Sequence, residues 1–577
     1  MKNKLKLIFL LLPAMFMVSC VDLDEVIFDE LTPEQAQADP NIIYVILRGS
    51  PVQPFTYPGS EFVWFIQTST DEVAVPIKWG GHWKDDYIYR QMQHHTWDAH
   101  NNILLSAWNY CYNIIGVCNA ELRRKERYNA HQLAQIRLVR AYAYWKAMDL
   151  FGNIPIVREH HTGSMPRNST REEVFRFIES ELNDTIMNHL RCRRTSEIWN
   201  QAILNTLRAR LYLNANVYLG LDNESEEYRA YLEKVIAAAN NVINSNRFSV
   251  SDYFRSFFKD NDLLENSTDI IASIPYSYLT LGNYLQMLGF PGGANHGLGV
   301  VIMSNSVNGP VVNPGKTADD PNALFNLFDT HDIRRLSMIG TPIRYRFNFD
   351  GTPTDPSHPL FNTIVNLGGG INPIISPPLL FTPFFTTGFA DWNGSADNSR
   401  ALNPGLGARM MKYEMSANQA WEMTNDLVIM RFTEVLYMKA EALIRLGRGG
   451  EAMPIFQQVL SHRGYSGANI GYEDGDIYPH LAISKRGPLF ATMPLTAMPN
   501  ARAGLGDAIQ PTLEFMEREW RREFAFENRR RTDMIRFGSF FGTWGLKPTP
   551  SPQYRAIFPI PAEAMRRNPN LIQNPGY

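Results

Sequence analysis

Cysteine is scarce in this chain, which limits how covalent bonds can hold the fold together. Only 4 of the 577 residues are cysteines. Cys111 and Cys118 lie seven positions apart in a helical pattern, so their Cα atoms should be about 10.5 Å apart at a rise of 1.5 Å per residue. A disulfide requires a Cα separation below about 7 Å. We therefore predict that these two thiols do not bridge each other and are buried.

An excess of one charge and long apolar runs are also missing. The formal net charge is −3, so the chain lacks the basic footprint of a nucleic-acid-binding protein. After the first twenty residues no apolar run reaches the length of about 18 residues that indicates a transmembrane helix. The sequence therefore predicts no nucleic-acid partner and no membrane-spanning segment in the mature chain.

Familiar catalytic motifs are absent as well. The chain has no His-Glu-x-x-His sequence, no Gly-x-Ser-x-Gly elbow and no phosphate-binding glycine loop. A glycosidase needs only two carboxylates about 5 to 9.5 Å apart. With 58 acidic residues, such a pair is certain to exist and carries little information. A glycoside hydrolase therefore stays open as an alternative that no motif supports.

Aromatic residues, in contrast, are plentiful. They make up 12% of the chain, with 11 Trp and 25 Tyr, and the hydrophobic fraction of 44% is that of a globular protein with an ample core. The surplus of aromatic side chains must belong either to the core or to a ligand surface. The length allows more than one domain or one large helical array.

The chain begins like a secreted protein. Three lysines lie within the first six residues, and an apolar run at 7–18 comes next, broken only by Pro13. A membrane-spanning helix requires about 20 apolar residues, so this run is too short to remain in a bilayer. A positively charged head before a short apolar core is typical of a signal peptide. Residues 1–19 are therefore predicted to be a signal peptide.

The sequence around Cys20 predicts a lipid anchor at the end of the signal. The tripeptide Val-Ser-Cys that ends at Cys20 resembles a bacterial lipobox, which predicts lipidation of Cys20; an ordinary cleaved signal with a chance cysteine is the alternative. Two or more acyl chains hold a protein stably at a membrane, since each buried methylene contributes about 0.8 kcal/mol. Three of the next five residues are acidic, Asp22, Asp24 and Glu25. They resemble the signal that sends Bacteroides-type lipoproteins to the outside of the outer membrane, so residues 20–40 are predicted to be a lipidated tether facing the cell exterior.

Helical periodicity dominates the chain from about 97 to 250. Apolar residues recur at helical spacing in five segments, 106–122, 131–152, 170–186, 199–220 and 228–245. Thr170 and Glu173 have the spacing of a capping box. Trp108, Trp145 and Trp520 occupy helical positions and are predicted to lie in the core.

A helical hairpin is predicted at 436–460. Small and large packing residues have the spacing of a tetratricopeptide repeat, at Ala440, Leu443, Gly447, Ala452 and Phe456. Such repeats need neighbours to bury their faces, so this hairpin should pack against the helices of the N-terminal half. The sequence predicts a mostly α-helical fold with a scaffold of tetratricopeptide-type hairpins.

The middle of the chain has a different composition. Residues 275–408 are rich in Gly, Pro and Asn, as in GFPGGANHGLG at 289–299, and show few periodic segments. We predict a loop-rich insertion with short strands between helical regions at 41–274 and 409–577. Because loops on a rigid scaffold often carry function, this insertion is expected to form part of a ligand site.

Several stretches together resemble the SusD/RagB family of outer-membrane nutrient-binding lipoproteins. The resemblance is carried by a helix-end motif, an arginine-rich helix, a C-terminal motif and two N-terminal stretches, at 140–157, 518–538, 557–577, 68–79 and 107–122. The family usually has Gly where this chain has Asn528, and Asn is tolerated at a left-handed position. Phe537 stands where the family has Trp. The resemblance implies a SusD-like fold.

The arginine-rich helix allows two interpretations. Its charged residues mix both signs at spacings of three and four, Glu519, Arg522, Glu523, Glu527, Arg530, Arg531, Asp533 and Arg536. This pattern favours ion pairs within and between helices. We predict a structural role, with binding of an anionic ligand as the alternative.

The family resemblance implies a receptor and not an enzyme. Such a protein captures glycan at the cell surface and closes over a SusC-like TonB-dependent transporter in the outer membrane. A surface lipoprotein that binds peptides or another non-sugar nutrient would use the same scaffold. A purely structural assembly protein is the third possibility, and it rarely carries so large an aromatic and glycine-rich insertion.

Residues suited to a shallow sugar site are concentrated in a few loops. Flat aromatic rings match the apolar face of a sugar, and polar side chains match its hydroxyls. The stretch KWGGHWKDD at 78–86 is the leading candidate, and DWNGS at 391–395 and the aromatics after residue 275 come next. The predicted ligand-binding residues are Lys78, Trp79, His82, Trp83, Tyr276, Tyr278, Tyr284, Phe290, Trp392 and Asn393.

Metal ligands and cofactors are not predicted. The adjacent pairs His94-His95 and His160-His161 do not share a helix face and are expected at the surface. Two acidic stretches, Asp260-Asn261-Asp262 and Glu473-Asp474-Gly475-Asp476, offer oxygen ligands for calcium but lack the full loop pattern. A structural calcium ion therefore stays an alternative to the prediction of no cofactor.

Overall fold

The computed structural model of the chain describes residues 66–75, 85–161, 163–191, 199–257, 267–274, 311–313, 315, 320–328, 332, 334, 337–339, 409–410, 412, 427–463 and 509–577. The chain separates into two compact units, 1–40 and 41–577, and every described residue belongs to the second unit. The α-helices of the described part are α1 Ile88–His94, α2 Asn102–Arg123, α3 Ala130–Phe151, α4 Arg171–Glu181, α5 Asp184–His189, α6 Gln201–Leu213, α7 Ala215–Leu219, α8 Glu226–Ile243, α9 Phe432–Arg445, α10 Gly449–Ser461, α11 Leu513–Glu523, α12 Arg530–Phe537 and α13 Ala562–Arg567. The strands are β1 Val73–Ala74, β2 Ile270–Ile274, β3 Val311–Val312, β4 Met338–Ile339, β5 Arg409–Met410 and β6 Leu427–Arg431.

Helices α2 and α3 form an antiparallel pair whose ends are set by local capping. Asn101 accepts a hydrogen bond from Ile103 N at the start of α2, and Asn129 forms a capping box at the start of α3. Helix α3 ends at Gly152, whose φ of +67° disfavours other residues. These observations confirm the helices predicted at 106–122 and 131–152.

Two predicted helices are interrupted by asparagine. The capping box at Thr170 is confirmed, with Thr170 N donating to Glu173 at 2.7 Å. The helix predicted to run to 186, however, ends at Glu181, because Asn183 caps a new helix, α5, by accepting from Ile186 N at 3.0 Å. The segment 199–220 is likewise divided at Asn214. The spacing of apolar residues alone does not reveal these breaks, because they are caused by asparagine side chains that bond to the local backbone.

The hairpin predicted from the tetratricopeptide spacing is confirmed. Helices α9 and α10 pack together across a turn in which Gly447 has a φ of +78°. Ala440, Ala452 and Phe456 are all completely buried. Helix α8 packs against both α6 and α9, which joins this hairpin to the N-terminal helices. Trp108, Trp145 and Trp520 lie in the core, as predicted, and Cys111 and Cys118 are buried free thiols.

The described strands form three antiparallel pairs, β1 with β3, β2 with β6 and β4 with β5. The pairing of Ile274 with Leu427 brings together the two ends of the segment 275–426. Within 275–408, the described residues include two-residue strands and the 3₁₀ turn Leu324–Asn326, with no α-helix among them. The domain boundaries themselves stay predictions.

The C-terminal segment packs against the N-terminal helices. Phe558 N donates to Leu150 O at 2.8 Å, and Trp97 Nε1 donates to Tyr577 Oη at 2.8 Å. Gly576 has a φ of +93°, and a Cβ atom at this position would lie 2.5 Å from the Tyr554 ring. Glycine is therefore required both by the backbone conformation and by the close contact.

Candidate functional site

The predicted ligand-binding residues lie outside the described part of the chain. This holds for Lys78, Trp79, His82, Trp83, Tyr276, Tyr278, Tyr284, Phe290, Trp392 and Asn393. It also holds for Cys20 and for the two acidic stretches at 260–262 and 473–476. These residues stay predictions. The structure does describe how the chain is anchored on both sides of residues 76–84, which include most of the predicted loop KWGGHWKDD and are called the loop 76–84 below, and at both ends of the segment 275–426, called the central segment.

An ion pair fixes the chain just before the loop 76–84. Asp71 accepts hydrogen bonds from Arg530 Nε at 2.7 Å and from Arg530 Nη2 at 2.8 Å, and Arg521 Nη2 lies 3.3 Å from its carboxylate. Burial alone would raise the pKa of Asp71, but the two guanidinium groups outweigh it and lower the pKa below its usual value. The start of this loop is thereby tied to α11 and α12.

Glu72 is buried beside this ion pair, but its pKa is raised where that of Asp71 is lowered. One carboxyl oxygen accepts a hydrogen bond from Phe526 N at 3.0 Å, and the other has no partner among the described residues. Burial raises the pKa of Glu72 to about 7, against the opposing effect of the Phe526 N–H, and Asp71 raises the pKa as well. Near neutral pH this buried carboxyl group is therefore partly protonated and partly ionised.

His95 joins the chain after the loop to the chain before it. We expected this histidine at the surface, and that prediction is wrong, because the side chain is only 4% exposed. Its Nε2 lies 2.8 Å from Ser69 O and its Nδ1 lies 2.8 Å from Ser551 Oγ. Since a carbonyl oxygen can only accept, Nε2 carries the proton and Nδ1 accepts from the serine hydroxyl. The exposed pair His160-His161 agrees with the prediction.

The aromatic surroundings of His95 explain its burial. Its ring centroid lies 4.8 Å from that of Trp97, 4.4 Å from that of Phe540 and 5.4 Å from that of Trp544. Burial lowers the pKa of His95 well below its usual value, and the nearby Lys547 lowers it as well. The imidazole is therefore a neutral bridge at neutral pH, with its two ring nitrogens engaged by Ser69 and Ser551.

Asn313 connects the central segment, residues 275–426, to the chain around Asp71 and Glu72. Its backbone N donates to Glu72 O at 2.9 Å, and its Nδ2 donates to Thr70 O at 3.2 Å. The Gln93 amide fits best with its nitrogen donating to Val73 O and its oxygen accepting from Asn313 Nδ2, both at 3.2 Å. These bonds bring the chain on both sides of the loop 76–84 together with strand β3.

A buried charge cluster holds the ends of the segment 275–426. We use this name for Asp269, Asp332, Arg334, Lys412, Arg431, Arg463, Glu519, Glu523 and Glu527, whose side chains are at most 7% exposed. Arg431, at the end of β6, donates to Asp269 at 2.8 Å and to Glu523 at 2.9 Å. Lys412 donates to Glu527 at 2.5 Å and to two backbone carbonyls of the hairpin between α11 and α12.

The electrostatics of this cluster confirm the structural role predicted for the arginine-rich helix. Burial alone would raise the pKa of Glu519, but Arg334 and Arg522 outweigh it and lower the pKa to about 2. Asn528 has a φ of +61°, so it occupies the left-handed position at which the family usually has Gly. The sequence does not identify Arg334, Lys412, Arg431 or Arg463 as partners, because their pairing depends on contacts far apart in the chain.

The described residues form a helical scaffold joined by buried hydrogen bonds and ion pairs. No group of three or more His, Cys, Asp or Glu side chains in the described part is placed to hold a metal ion. Of the helices that the structure describes, not one combines the length and the hydropathy that a bilayer crossing requires. The anchors fix the chain on both sides of residues 76–84 and at the ends of the segment 275–426.

Comparison with known proteins agrees with the resemblance found in the sequence. A family model described as "SusD family" matches residues 387–555, and a second, described as "Starch-binding associating with outer membrane", matches residues 78–206. The starch-binding protein SusD of Bacteroides thetaiotaomicron is 25% identical over 483 residues, which cover 77% of this chain and 73% of that protein.

Solved structures share the fold. A SusD superfamily protein from Parabacteroides distasonis has a TM-score of 0.61 at 14% identity, over 95% of this chain and 100% of that one. Surface glycan-binding protein A from Bacteroides thetaiotaomicron, solved in complex with laminarihexaose, has a TM-score of 0.59 at 16% identity, over 94% and 99%. The predicted mostly α-helical, SusD-like fold is confirmed. The two family matches and the similarity to SusD confirm the resemblance of this chain to the SusD/RagB family.

Proposed function

We propose that this chain is a cell-surface lipoprotein that binds glycan and does not cleave it. The observation that carries the proposal is the similarity to the starch-binding protein SusD over 77% of the chain. The match to a family described by starch binding and outer-membrane association supports it, as do structural neighbours that are named as binding proteins. In this proposal the lipobox at Cys20 provides the membrane anchor.

The glycan site is proposed to lie on the loop 76–84 and the central segment. Trp79 and Trp83 offer flat rings for the apolar face of a sugar. Lys78 and His82 offer hydrogen bonds to its hydroxyls. The anchors around Glu72, Asn313 and His95 support this location, because loops with fixed ends lose less conformational entropy when they bind. A shallow site of this kind should have a Kd on the order of 1 mM to 1 μM.

Further residues are proposed to complete the site from the central segment. They are Tyr276, Tyr278, Tyr284, Phe290, Trp392 and Asn393. A repeating polysaccharide that meets several such contacts would bind more tightly than one sugar unit.

Delivery of the bound glycan to a SusC-like TonB-dependent transporter is the second part of the proposal. The resemblance to the SusD/RagB family supports it, together with the predicted outer-membrane anchor facing the cell exterior. The test is purification of the full chain from its native outer membrane with a tag. We expect a large TonB-dependent outer-membrane protein to co-purify in a fixed ratio. Purification of the chain alone in mild detergent would contradict this part.

Glycan binding is tested by titration with a broad panel of polysaccharides and oligosaccharides. The wild-type chain is compared with a Trp79→Ala/Trp83→Ala double variant and with a Trp392→Ala variant. We expect one glycan class to bind, with at least a tenfold loss in the double variant, because each stacked ring contributes about 1 kcal/mol or more. Isothermal titration calorimetry measures the binding, and product analysis of the same mixtures tests for cleavage.

Each outcome separates the alternatives. Binding that persists in the double variant but is lost in Trp392→Ala would keep the function and move the site to the central segment. Binding of peptides, with no glycan bound, would favour the non-sugar nutrient alternative. Release of shorter sugars in proportion to the amount of wild-type chain would show a glycoside hydrolase and overturn the proposal.

A further inference from the structure

A cavity of mixed polar and apolar lining lies on the helical scaffold, and none of its lining residues belongs to the proposed glycan site. It has a volume of about 200 Å³ and lies between the start of α6, the end of α8 and the short helix α5. Its lining includes Asn200, Gln201, Asn205, Asn241, Arg247 and Phe248. Amide side chains, one arginine and one aromatic ring are the groups that recognise a polar ring-shaped ligand.

Part of the lining is held rigidly by its own hydrogen bonds. Asn205 is 3% exposed, donates to Gln201 O at 2.9 Å and accepts from Asn241 Nδ2 at 3.2 Å. Gln201 Nε2 donates to Met187 O at 3.2 Å and to Leu190 O at 3.0 Å. The cavity wall is therefore preorganised, which reduces the entropy that a ligand loses on binding.

Three polar groups that line the cavity can still bind a ligand. Gln201 Oε1 and Asn241 Oδ1 accept no hydrogen bond from any residue that the structure describes. Arg247 is exposed, and its guanidinium group makes no ion pair with the described residues. Two acceptors and one cation are thus available to a ligand that brings hydroxyl groups and a negative charge.

The aromatic member of the lining supplies an apolar face. Phe248 is half-buried and stacks on Phe432, with ring centroids 6.2 Å apart and an interplanar angle of 20°. This contact restrains the ring, which is an apolar platform in the lining of the cavity. A sugar ring packs its own apolar face on such a platform.

The volume suits a single ring. A cavity of about 150 Å³ binds benzene, so about 200 Å³ is space for one sugar ring. Hydroxyl donors for the two amide oxygens, an apolar face for Phe248 and a carboxylate for Arg247 occur together in one class of sugar. We propose that this cavity is a second carbohydrate site that binds a single uronic-acid unit, free or at the end of a chain, with Arg247 pairing to its carboxylate.

The test compares charged and neutral sugars of the same shape on the full chain purified in detergent. Glucuronate and galacturonate are titrated against glucose and galactose by saturation-transfer NMR and calorimetry. We expect a Kd on the order of 1 mM for one uronate, as suits a ligand of this size. The matching neutral sugar should bind at least tenfold more weakly, because an arginine–carboxylate pair is a strong, charge-assisted contact.

Variants locate the binding. Arg247→Ala and Asn241→Ala should each weaken uronate binding, the first by about tenfold or more. Arg167→Ala, which removes an exposed arginine that does not line the cavity, should leave it unchanged. The Trp79→Ala/Trp83→Ala variant should also leave uronate binding unchanged, so failure of this proposal and failure of the glycan proposal are distinguishable.

Three results would overturn the inference. They are no binding of any uronate, uronate binding that Arg247→Ala and Asn241→Ala do not weaken, and acetate competing as well as the uronate does. The last result would show a simple anion contact at Arg247 without sugar recognition.

Discussion

Glu72 shows at the scale of one residue how burial couples the anchor of the loop 76–84 to pH. Its folded pKa of about 7 lies above the value of 4.5 for an unperturbed glutamate. The folded protein therefore holds a proton that the unfolded chain has lost at the same pH. The stability associated with Glu72 is fully present below pH 4.5 and is lost as the pH rises through 7.

A Glu72→Gln variant should remove this pH dependence. Glutamine keeps an oxygen to accept from Phe526 N and carries no titrating proton. We expect the variant to gain stability relative to the wild type as the pH rises from about 5 to about 8, by up to about 3 kcal/mol at 1.36 kcal/mol per pKa unit. Urea unfolding of both proteins at the two pH values measures the change. A stability difference that is equal at both pH values would show that Glu72 does not titrate as proposed.

Single residues are predictable from sequence where the determinant is local. Asn528 was expected at a left-handed backbone position, and it has a φ of +61°. Burial of Cys111 and Cys118 was expected from helical spacing and is confirmed. His95 was expected at the surface, and the prediction failed because its partners, Ser69 and Ser551, lie far apart in the chain.

At the scale of elements, the hairpin of α11 and α12 owes its position to charges that come from elsewhere in the chain. Glu523, at the end of α11, accepts from Arg431, Arg463 and Arg334 at distances of 2.9 to 3.2 Å. Burial alone would raise the pKa of Glu523, but the three guanidinium groups outweigh it and lower the pKa strongly. A buried charge of this kind is costly to leave without its partner.

Glu523→Gln should therefore destabilise the whole fold. The amide has nearly the same shape, but it leaves the guanidinium groups of Arg431 and Arg463 without full compensation. We expect a loss of about 3 to 5 kcal/mol in the free energy of unfolding. Glu451→Gln breaks a pair with Arg448 in which both side chains are exposed, and it should stay close to the wild type. Equal effects of the two substitutions would argue against a structural role for the buried charge cluster.

Element boundaries show the same division between local and distant causes. The capping box at Thr170 and the hairpin turn at Gly447 are predicted by the sequence and confirmed. The breaks at Asn183 and Asn214 were missed, since an asparagine within an apolar period does not show whether its side chain will cap a helix. The candidate ligand residues, Trp79 and Trp83 foremost, stay predictions because they lie outside the described residues.

At the scale of the whole molecule, the C-terminal motif that carries part of the family resemblance closes the fold onto its N-terminal helices. Asn574 Nδ2 donates to Phe151 O at 2.7 Å and to Phe558 O at 2.8 Å, and Asn574 is 2% exposed. One amide thus satisfies the carbonyl at the end of α3 and a carbonyl of the C-terminal segment, across 423 positions in the sequence. Sequence alone indicates that the motif matters and cannot show which carbonyls it serves.

Asn574→Ala should cost about 2 to 4 kcal/mol in the free energy of unfolding, because a buried carbonyl that loses its donor costs roughly 1 to 3 kcal/mol. Asn570→Ala is the matched control, since its amide donates to Met165 O at 2.6 Å on the exposed surface, and its effect should stay within about 0.5 kcal/mol. Urea unfolding monitored by both circular dichroism and tryptophan fluorescence measures the two effects. Because the bonds of Asn574 join distant parts of one core, both probes should report the same shifted transition in Asn574→Ala. A shift in one probe alone would mean that the C-terminal segment detaches while the helical scaffold stays folded.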